Sequence, residues 1–326
     1  MLRYTIKRLV MVPILLLLVA LLIFVLLNLS ESDPVIMMLP AEYTQEDYDA
    51  MQRKFGLDRP LIVQYFNWVG KAFTGDLGIS YKSKGPVADD VFFRIPISLQ
   101  LAGVTTLIMV VIGIPLGVMC AVRQYTWFDG IVNVLAKLVG SIPGFWLGLM
   151  LILTFSVKLG WFPTFGTGTA RHWVLPVFTL LLPYLANYIR QVRSAMLDCI
   201  RQDYIRTARS KGAREYIVIF RDALKNALLP IITLTGGIFA SMIGGAVMIE
   251  KVFAIPGVGY KIVEAINNRD MPTLLACTMV LAVFTIVVQL IIDLAYALVD
   301  PRIRGSFAGK KKSTYKRQMT EKQGVG

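Results

Sequence analysis

The chain has 326 residues, 56 % of them hydrophobic and only 17 % charged, with a formal net charge of +13. Soluble domains carry about 45–50 % apolar and about 25 % charged residues, so this composition belongs in a membrane and excludes a disordered chain. Three cysteines exclude a disulfide framework, and the excess of Lys and Arg leaves two readings, a nucleic-acid partner or basic loops on one side of a bilayer.

A membrane-crossing helix needs about 20 apolar residues. Six stretches qualify, at 9–29, 98–122, 131–157, 174–189, 227–249 and 273–299. The first follows Arg3, Lys7 and Arg8, as a signal peptide would, but its apolar run is about twice a signal-peptide core and no small-x-small cleavage site follows. It reads as a retained helix. Lys137 interrupts the third stretch, Pro176 and Pro183 interrupt the fourth, and Asp293 lies near the end of the sixth.

Six crossings put both termini on one side. That side, made of the N-terminus, 123–130, 190–226 and the segment from Asp300, holds 21 basic against 7 acidic residues. The opposite loops, 30–97, 158–173 and 250–272, hold 12 against 13. The asymmetry places the basic side in the cytoplasm and makes a nucleic-acid partner unnecessary. The expectation is an all-α integral membrane protein with six transmembrane helices and both termini inside. It divides into an N-terminus with its first helix (1–29), an extracytoplasmic loop subdomain (30–97), a five-helix core (98–305) and a basic cytoplasmic tail (306–326) that touches anionic lipid.

In the 30–97 loop, 42–55 reads as a short helix with Thr44 as N-cap, and 64–73 as a second. The loop is either a passive cover or a docking surface. The basic 190–226 loop predicts two short helices, 203–210 and 214–226, joined at Lys211-Gly212. Pro256-Gly257-Val258-Gly259 signals a turn, followed by a short helix at 260–267. Small residues recur every four positions at Gly140, Gly144 and Gly148, and again at Gly237, Ser241 and Gly245. Such faces let helices pack closely in lipid. They serve packing within the chain, or they line a pathway or meet a second subunit.

No enzyme signature is present. His172 is the only histidine and has no metal-site partner or readable nucleophile, so no catalytic, metal or cofactor residue is assigned. Cys120, Cys199 and Cys277 are scattered, as free thiols are. Gly305…Gly309-Lys310 misses the spacing of a phosphate-binding loop and lacks the Ser/Thr. Only Lys137 and Asp293 put charge inside a span, both near the cytoplasmic end. An ion-coupled secondary transporter is therefore disfavoured, as is an intramembrane enzyme.

The motifs then form an ordered set. Leu2-Arg3-Tyr4, Lys7-Arg8-Leu9 and Pro13 open the chain. Asp33-Pro34, Phe55-Gly56-Leu57-Asp58-Arg59-Pro60, Gln64-Tyr65, Gly75-Asp76-Leu77-Gly78, Ser80 and Pro86-Val87 follow. Next come Ser141-Ile142-Pro143, Gly160-Trp161-Phe162-Pro163 and the stretch 203–212, Asp203 to Gly212. After these stand Arg221-Asp222-Ala223, Asn226 to Pro230, Glu250, Phe253, the Pro256–Gly259 turn, Ala265-Ile266, Arg269-Asp270 and Asp300-Pro301-Arg302. Over residues 1–305 this order resembles the permease subunits of peptide/nickel-type ABC importers, the B-type branch of oligopeptide and dipeptide permeases.

The resemblance implies an importer type I permease fold and a role as the pathway-forming subunit, with no nucleotide site of its own. It implies a homologous second permease, two ATPase subunits that bind ATP and Mg, and an extracytoplasmic substrate-binding protein, in a bacterial or archaeal cytoplasmic membrane. In such importers the cytoplasmic loop carries a Glu-Ala-Ala pattern, three residues and a Gly. Here Arg206-Thr207-Ala208 stands in that place and Gly212 keeps the spacing. The implied ATPase-coupling residues are Asp203, Tyr204, Arg206, Thr207, Ala208, Lys211, Gly212, Arg214 and Glu215. Trp68, Asp76, Arg269 and Asp270 are the candidate contacts to an outer partner. Di- or oligopeptides are the expected cargo, with nickel or another small solute as the alternative.

Overall fold

The structure is a computed structural model that describes residues 2–28, 33–40 and 42–299. The 306–326 tail, with its phosphate-loop near miss, and Asp300-Pro301-Arg302 lie outside the described residues, as do the side chains of Arg3, Lys7, Arg8 and Asp293.

Among the described residues every extended regular element is helical. Helix α1 runs over Leu2–Asn28 and contains the apolar segment Met11–Leu26. Three short helices follow, α2 (Pro34–Met38), α3 (Gln45–Phe55) and α4 (Leu61–Phe73). Thr44 caps α3 as expected: Thr44 Oγ1 accepts from Asp47 N–H, and Asp47 returns a bond to Thr44 N–H. That charge-stabilised bond holds the Asp47 carboxyl below its ordinary value.

Among the described residues four helices are long and apolar enough to cross a membrane: α5 (Val87–Val122), α8 (Ala170–Ile200), the continuous run Glu215–Val252, and the described part of α13, Met271–Ile292. The run Glu215–Val252 comprises α10 (Glu215–Ile217), a π-helical turn at Val218–Ala223 and α11 (Leu224–Val252). The separate helix expected at 214–226 is therefore absent. Arg221, Asp222 and Lys225 end an apolar window, but charge does not end a helix. Helix α13 itself extends over Met271–Val299, after α12 (Val258–Asn267).

The expected third span is not one straight helix. It is broken into α6 (Trp127–Gly140) and α7 (Gly144–Leu151), the latter continuing as a π-helix through Lys158, with a 95° bend between the halves. Ser141-Ile142-Pro143 makes the break. Pro143 has no N–H to give and forces Ile142 away from helical angles. Pro96, Pro115, Pro176 and Pro183 are held within α5 and α8 without a comparable interruption.

The centre of the bundle is α8, packed between α5, α6 and α11. A side chain at Gly113 would collide with the Tyr188 ring, and one at Gly117 would meet Val192 Cγ1 at 2.6 Å. These two glycines let α5 and α8 approach closely, the packing mode of small residues in lipid. Polar contacts tie α8 to its other neighbours. Tyr188 Oη pairs with Thr235 Oγ1 of α11 at 2.7 Å. Arg193 donates two bonds of 2.7 Å to the buried Asp129 carboxylate of α6. His172 caps α8, its Nδ1 accepting from Thr169 N–H at 3.1 Å.

Gly117→Ile should overpack the α5–α8 seam and destabilise the chain by about 1–3 kcal/mol, read as a lower thermal unfolding midpoint in detergent. Gly103→Ala, where nothing lies within 4 Å of a new side chain, should leave the midpoint nearly unchanged.

Candidate coupling elbow and its opposite end

Past its apolar length α8 ends at Arg201, and the chain turns into α9 (Asp203–Ser210). This helix lies where the sequence predicts it. Its deepest anchor is Ile205, fully buried in the main core. Asp203, Tyr204, Arg206 and Thr207 stay exposed, and Ala208 is half-buried against the core. The helix ends as Gly212 N–H bonds Arg209 O at 2.9 Å and Ala213 N–H bonds Ala208 O at 3.3 Å.

Gly212 has φ +77°, and nothing lies within 4 Å of a side chain placed there. Glycine is demanded by the left-handed backbone, which costs other residues roughly 1–2 kcal/mol, and not by crowding. Across this turn Arg209 grips Glu215 with bonds of 2.6 and 3.2 Å, and the pairing raises the Arg209 pKa. Both side chains are about half exposed, so the pair is worth at most about 1 kcal/mol; its use is to fix the angle between α9 and α10. Arg206 and Asp203, 4.0 Å apart in open solvent, add nothing comparable. Lys211, Arg214 and Glu215 complete an exposed, mostly basic surface. Tyr216 and Phe220 also stand out from it, 59 % and 62 % exposed. Sequence reasoning passed over these aromatics, although their i, i+4 spacing opposite buried Val218 and Ile219 marks a helix face.

The small-residue stripes separate. Gly140 ends α6 and Gly144 opens α7, so the bend divides the first stripe. A side chain at Gly148 would meet Phe253 and Thr179 at 3.2 Å, which is packing inside the chain. A side chain at Gly245 would meet Tyr184 Oη at 2.6 Å. Gly237 has open space beside it, and Ser241 and Gly244 are exposed, so this part of α11 carries a small-residue face, touched at one edge by Tyr184, whose Oη donates to Ser241 O at 3.1 Å.

At the end away from α9, the outer-contact candidates separate too. Asp270 is 2 % exposed. It accepts from Ser80 Oγ at 2.5 Å, Tyr81 N–H at 3.0 Å and Thr273 Oγ1 at 2.8 Å. Its carboxylate is spent clamping the 30–97 loop to α13 and is not offered to a partner. Trp68 is half-buried and packs against the cluster of Ala20, Phe24, Tyr65 and Leu275. Asp76 and Arg269 remain exposed.

Nearby, Lys261 of α12 bridges Asp90 at 2.8 Å and Glu264 at 3.2 Å, while Arg94 holds Asp90 at 2.7 Å and donates to Pro256 O at 3.3 Å. The Pro256–Gly259 turn folds over Glu250, which is 0 % exposed and accepts from Tyr260 N–H at 3.0 Å. A side chain at Gly257 would strike that carboxylate, and one at Gly259 would meet Val247 Cα at 2.5 Å. The turn glycines thus make room for a buried acid.

Burial works against charge at both Lys261 and Glu264, yet their pairing prevails: the Lys261 pKa is raised and that of Glu264 lowered. A carboxyl with a lowered folded pKa contributes stability above its unfolded value, near 4.5, and loses it as pH falls through the folded value. The thermal midpoint should therefore drop on acidification below about pH 4.5, and Glu264→Gln should flatten that part of the profile. An unchanged profile in the variant would remove Glu264 from the account.

Two family models match the chain. The binding-protein-dependent transport system inner membrane component covers residues 113–305, and the N-terminal membrane component of the same transport systems covers residues 1–102. The oligopeptide transport system permease protein AppB of Bacillus subtilis is 41 % identical over 314 residues, 93 % of this chain and 99 % of AppB. The glutathione transport system permease protein GsiC of Escherichia coli is 35 % identical, again over 93 % of this chain and 99 % of that protein. Among solved structures, a chain of the MetNI methionine ABC transporter in an inward-facing conformation matches with TM-score 0.54 at 20 % identity, covering 64 % of this chain and 96 % of that one. That likeness concerns the fold. With family models over both halves and relatives matched along nearly their whole length, this multi-pass membrane chain belongs to the inner membrane components of binding-protein-dependent transport systems.

Proposed function

We propose that this chain is one permease subunit of an ATP-driven ABC importer for di- and oligopeptides, enclosing the pathway with a homologous second permease. The observation that carries the reading is the α9 elbow. It is a short helix pinned by Ile205 with Ala208 beside it, angled by Arg209–Glu215 and exposed along the rest of its length, the form expected of an element that seats in another protein. Family membership supports the importer class. The cargo class draws on the relatives' names, an oligopeptide and a glutathione permease.

In this reading α1, α5, the bent α6–α7 pair, α8, Glu215–Val252 and α13 are six crossings, with both termini and α9 in the cytoplasm. Two ATPase subunits bind there and supply the ATP and Mg chemistry; this chain holds no nucleotide. A substrate-binding protein delivers cargo at the opposite face, near exposed Asp76 and Arg269. ATP binding brings the ATPases together and carries both elbows inward. The bundle then shifts from inward- to outward-facing, a population change driven by the partner's differential affinity for the two states. The small-residue face at Gly237, Ser241 and Gly244 lines the pathway or meets the sister permease.

Gly212→Asp tests the lever. It forces a left-handed backbone on a non-glycine residue and adds charge at the elbow, so uptake of labelled peptide by cells should be lost while the complex still assembles. Wild-type uptake in that variant would refute the lever assignment.

A further inference from the structure

At the end opposite α9, the 30–97 loop and the membrane helices enclose a cleft of about 710 Å³. Its lining joins two unlike surfaces. Phe24 of α1 and Leu275 of α13 contribute from helices of the membrane bundle. Arg53, Lys54, Arg59 and Lys71 contribute from α3, α4 and the turn between them, against one carboxylate, Asp76. None of these four cations has an ion-pair partner among the described residues. Arg53 Nε donates only to a backbone carbonyl, Asp49 O at 3.1 Å, and Lys54 sits 5.8 Å from the centre of the Phe55 ring. Asp76 is already occupied, accepting from Gly78 N–H at 2.9 Å. Trp68 also lines the cleft, and its indole N–H is shut off from solvent with no acceptor among the described residues.

The position of α4 says what kind of molecule would enter. Tyr65 of α4 donates to Leu17 O of α1 at 2.8 Å and packs edge-on against Phe24, ring centres 5.9 Å apart. Leu17 lies well inside the apolar part of α1, so α4 is drawn down along a membrane helix. Gln64, Asn67 and Lys71 face the cleft. The adjoining face of α4, whose Phe66 also borders the cleft, exposes Ile62, Phe66 and Phe73, 57 %, 62 % and 76 % accessible, at i, i+4 and i+11. A helix with one polar side and one bare apolar side, seated against a membrane span, lies in the lipid interface. Beside it Leu18, Leu22 and Leu26 of α1 are also bare.

We propose that this cleft is a seat for an anionic glycerophospholipid. Its phosphate and headgroup meet Arg53, Arg59 and Lys71, and its acyl chains run down beside Phe24, Phe66 and Leu275. The seat rests on the chain being membrane-embedded, and its assignment to the outer leaflet rests on the orientation proposed above. Charge complementarity selects the anion, and the apolar floor selects an amphiphile over a free ion or a soluble peptide. The lipid would fasten the 30–97 loop to α1 and α13 from the membrane side, as Asp270 fastens it to α13 from the interior.

The test uses the chain purified with whatever subunits accompany it, reconstituted in nanodiscs of phosphatidylcholine containing phosphatidylglycerol, then released and weighed by native mass spectrometry. The wild type should retain a phosphatidylglycerol adduct. Arg53→Gln with Arg59→Gln and Lys71→Gln should lower its occupancy roughly 100-fold at equal lipid, from three lost surface cations. Arg53→Lys with Arg59→Lys, which keeps the charge, should retain it. All five substitutions are at exposed positions, and an unchanged oligomeric mass shows that the assembly survives. Equal retention by the triple Gln variant overturns the proposal. So does equal retention of phosphatidylcholine, or displacement of the lipid by millimolar inorganic phosphate or by a soluble acidic peptide, which would make the cleft an ion or peptide site. A chain that fails to enter nanodiscs would instead refute its membrane embedding.

Discussion

The close approach of α5 and α8 is the constraint on which the rest of the structure depends. Within lipid, helices gain little from hydrophobic association and rely on contact area and shape. Gly113 and Gly117 remove the side chains that would hold the two backbones apart, and Tyr188 and Val192 occupy the space. With α5 set against it, α8 becomes the shaft of the molecule. Tyr188–Thr235 ties it to α11 and Arg193–Asp129 ties it to α6. The second bond matters because α6 is only half of a broken span. Separating the pair would leave the buried Asp129 carboxylate without its cation, which is costly, so Arg193 and Asp129 hold that half in place.

The elbow inherits its rigidity from this shaft. Helix α9 begins three residues after α8 ends, Ile205 sinks into the same core, and the chain returns through Glu215–Val252, which packs against α8 again. A displacement of α9 therefore moves two membrane helices that are already bonded to each other. The opposite end is fastened differently, by charged and polar clamps at Asp270, Lys261 and Glu250. One end presents a short, exposed helix and the other holds its loops in register.

Much of this was legible in the sequence. Apolar runs located the four long apolar helices and the bent α6–α7 pair, because water exclusion acts on windows of residues. The elbow at 203–212 was legible because its helix is short and local and its glycine is needed by its own backbone. What was missed depends on residues far apart in the chain. Asp270 looked like an exposed acid near Arg269, but its partner Ser80 is 190 positions away. Asp129 and Arg193 are 64 apart and read as loop charges. Gly113 and Gly117 read as ordinary span residues, because the need for a glycine lies in Tyr188 and Val192 on another helix. The break at Ser141-Ile142-Pro143 was hidden by the hydropathy around it: a window average does not register one missing N–H.

Cross-linking mass spectrometry of the complex, purified by a tag on this chain from cells that also express its neighbouring genes, tests the central claim most directly. A lysine-reactive linker should join Lys211 at the elbow to an ATPase subunit, in a complex that also holds a second permease. Recovery of this chain alone or with copies of itself, or an ATPase that cross-links elsewhere while Lys211 stays unlinked, would contradict the account.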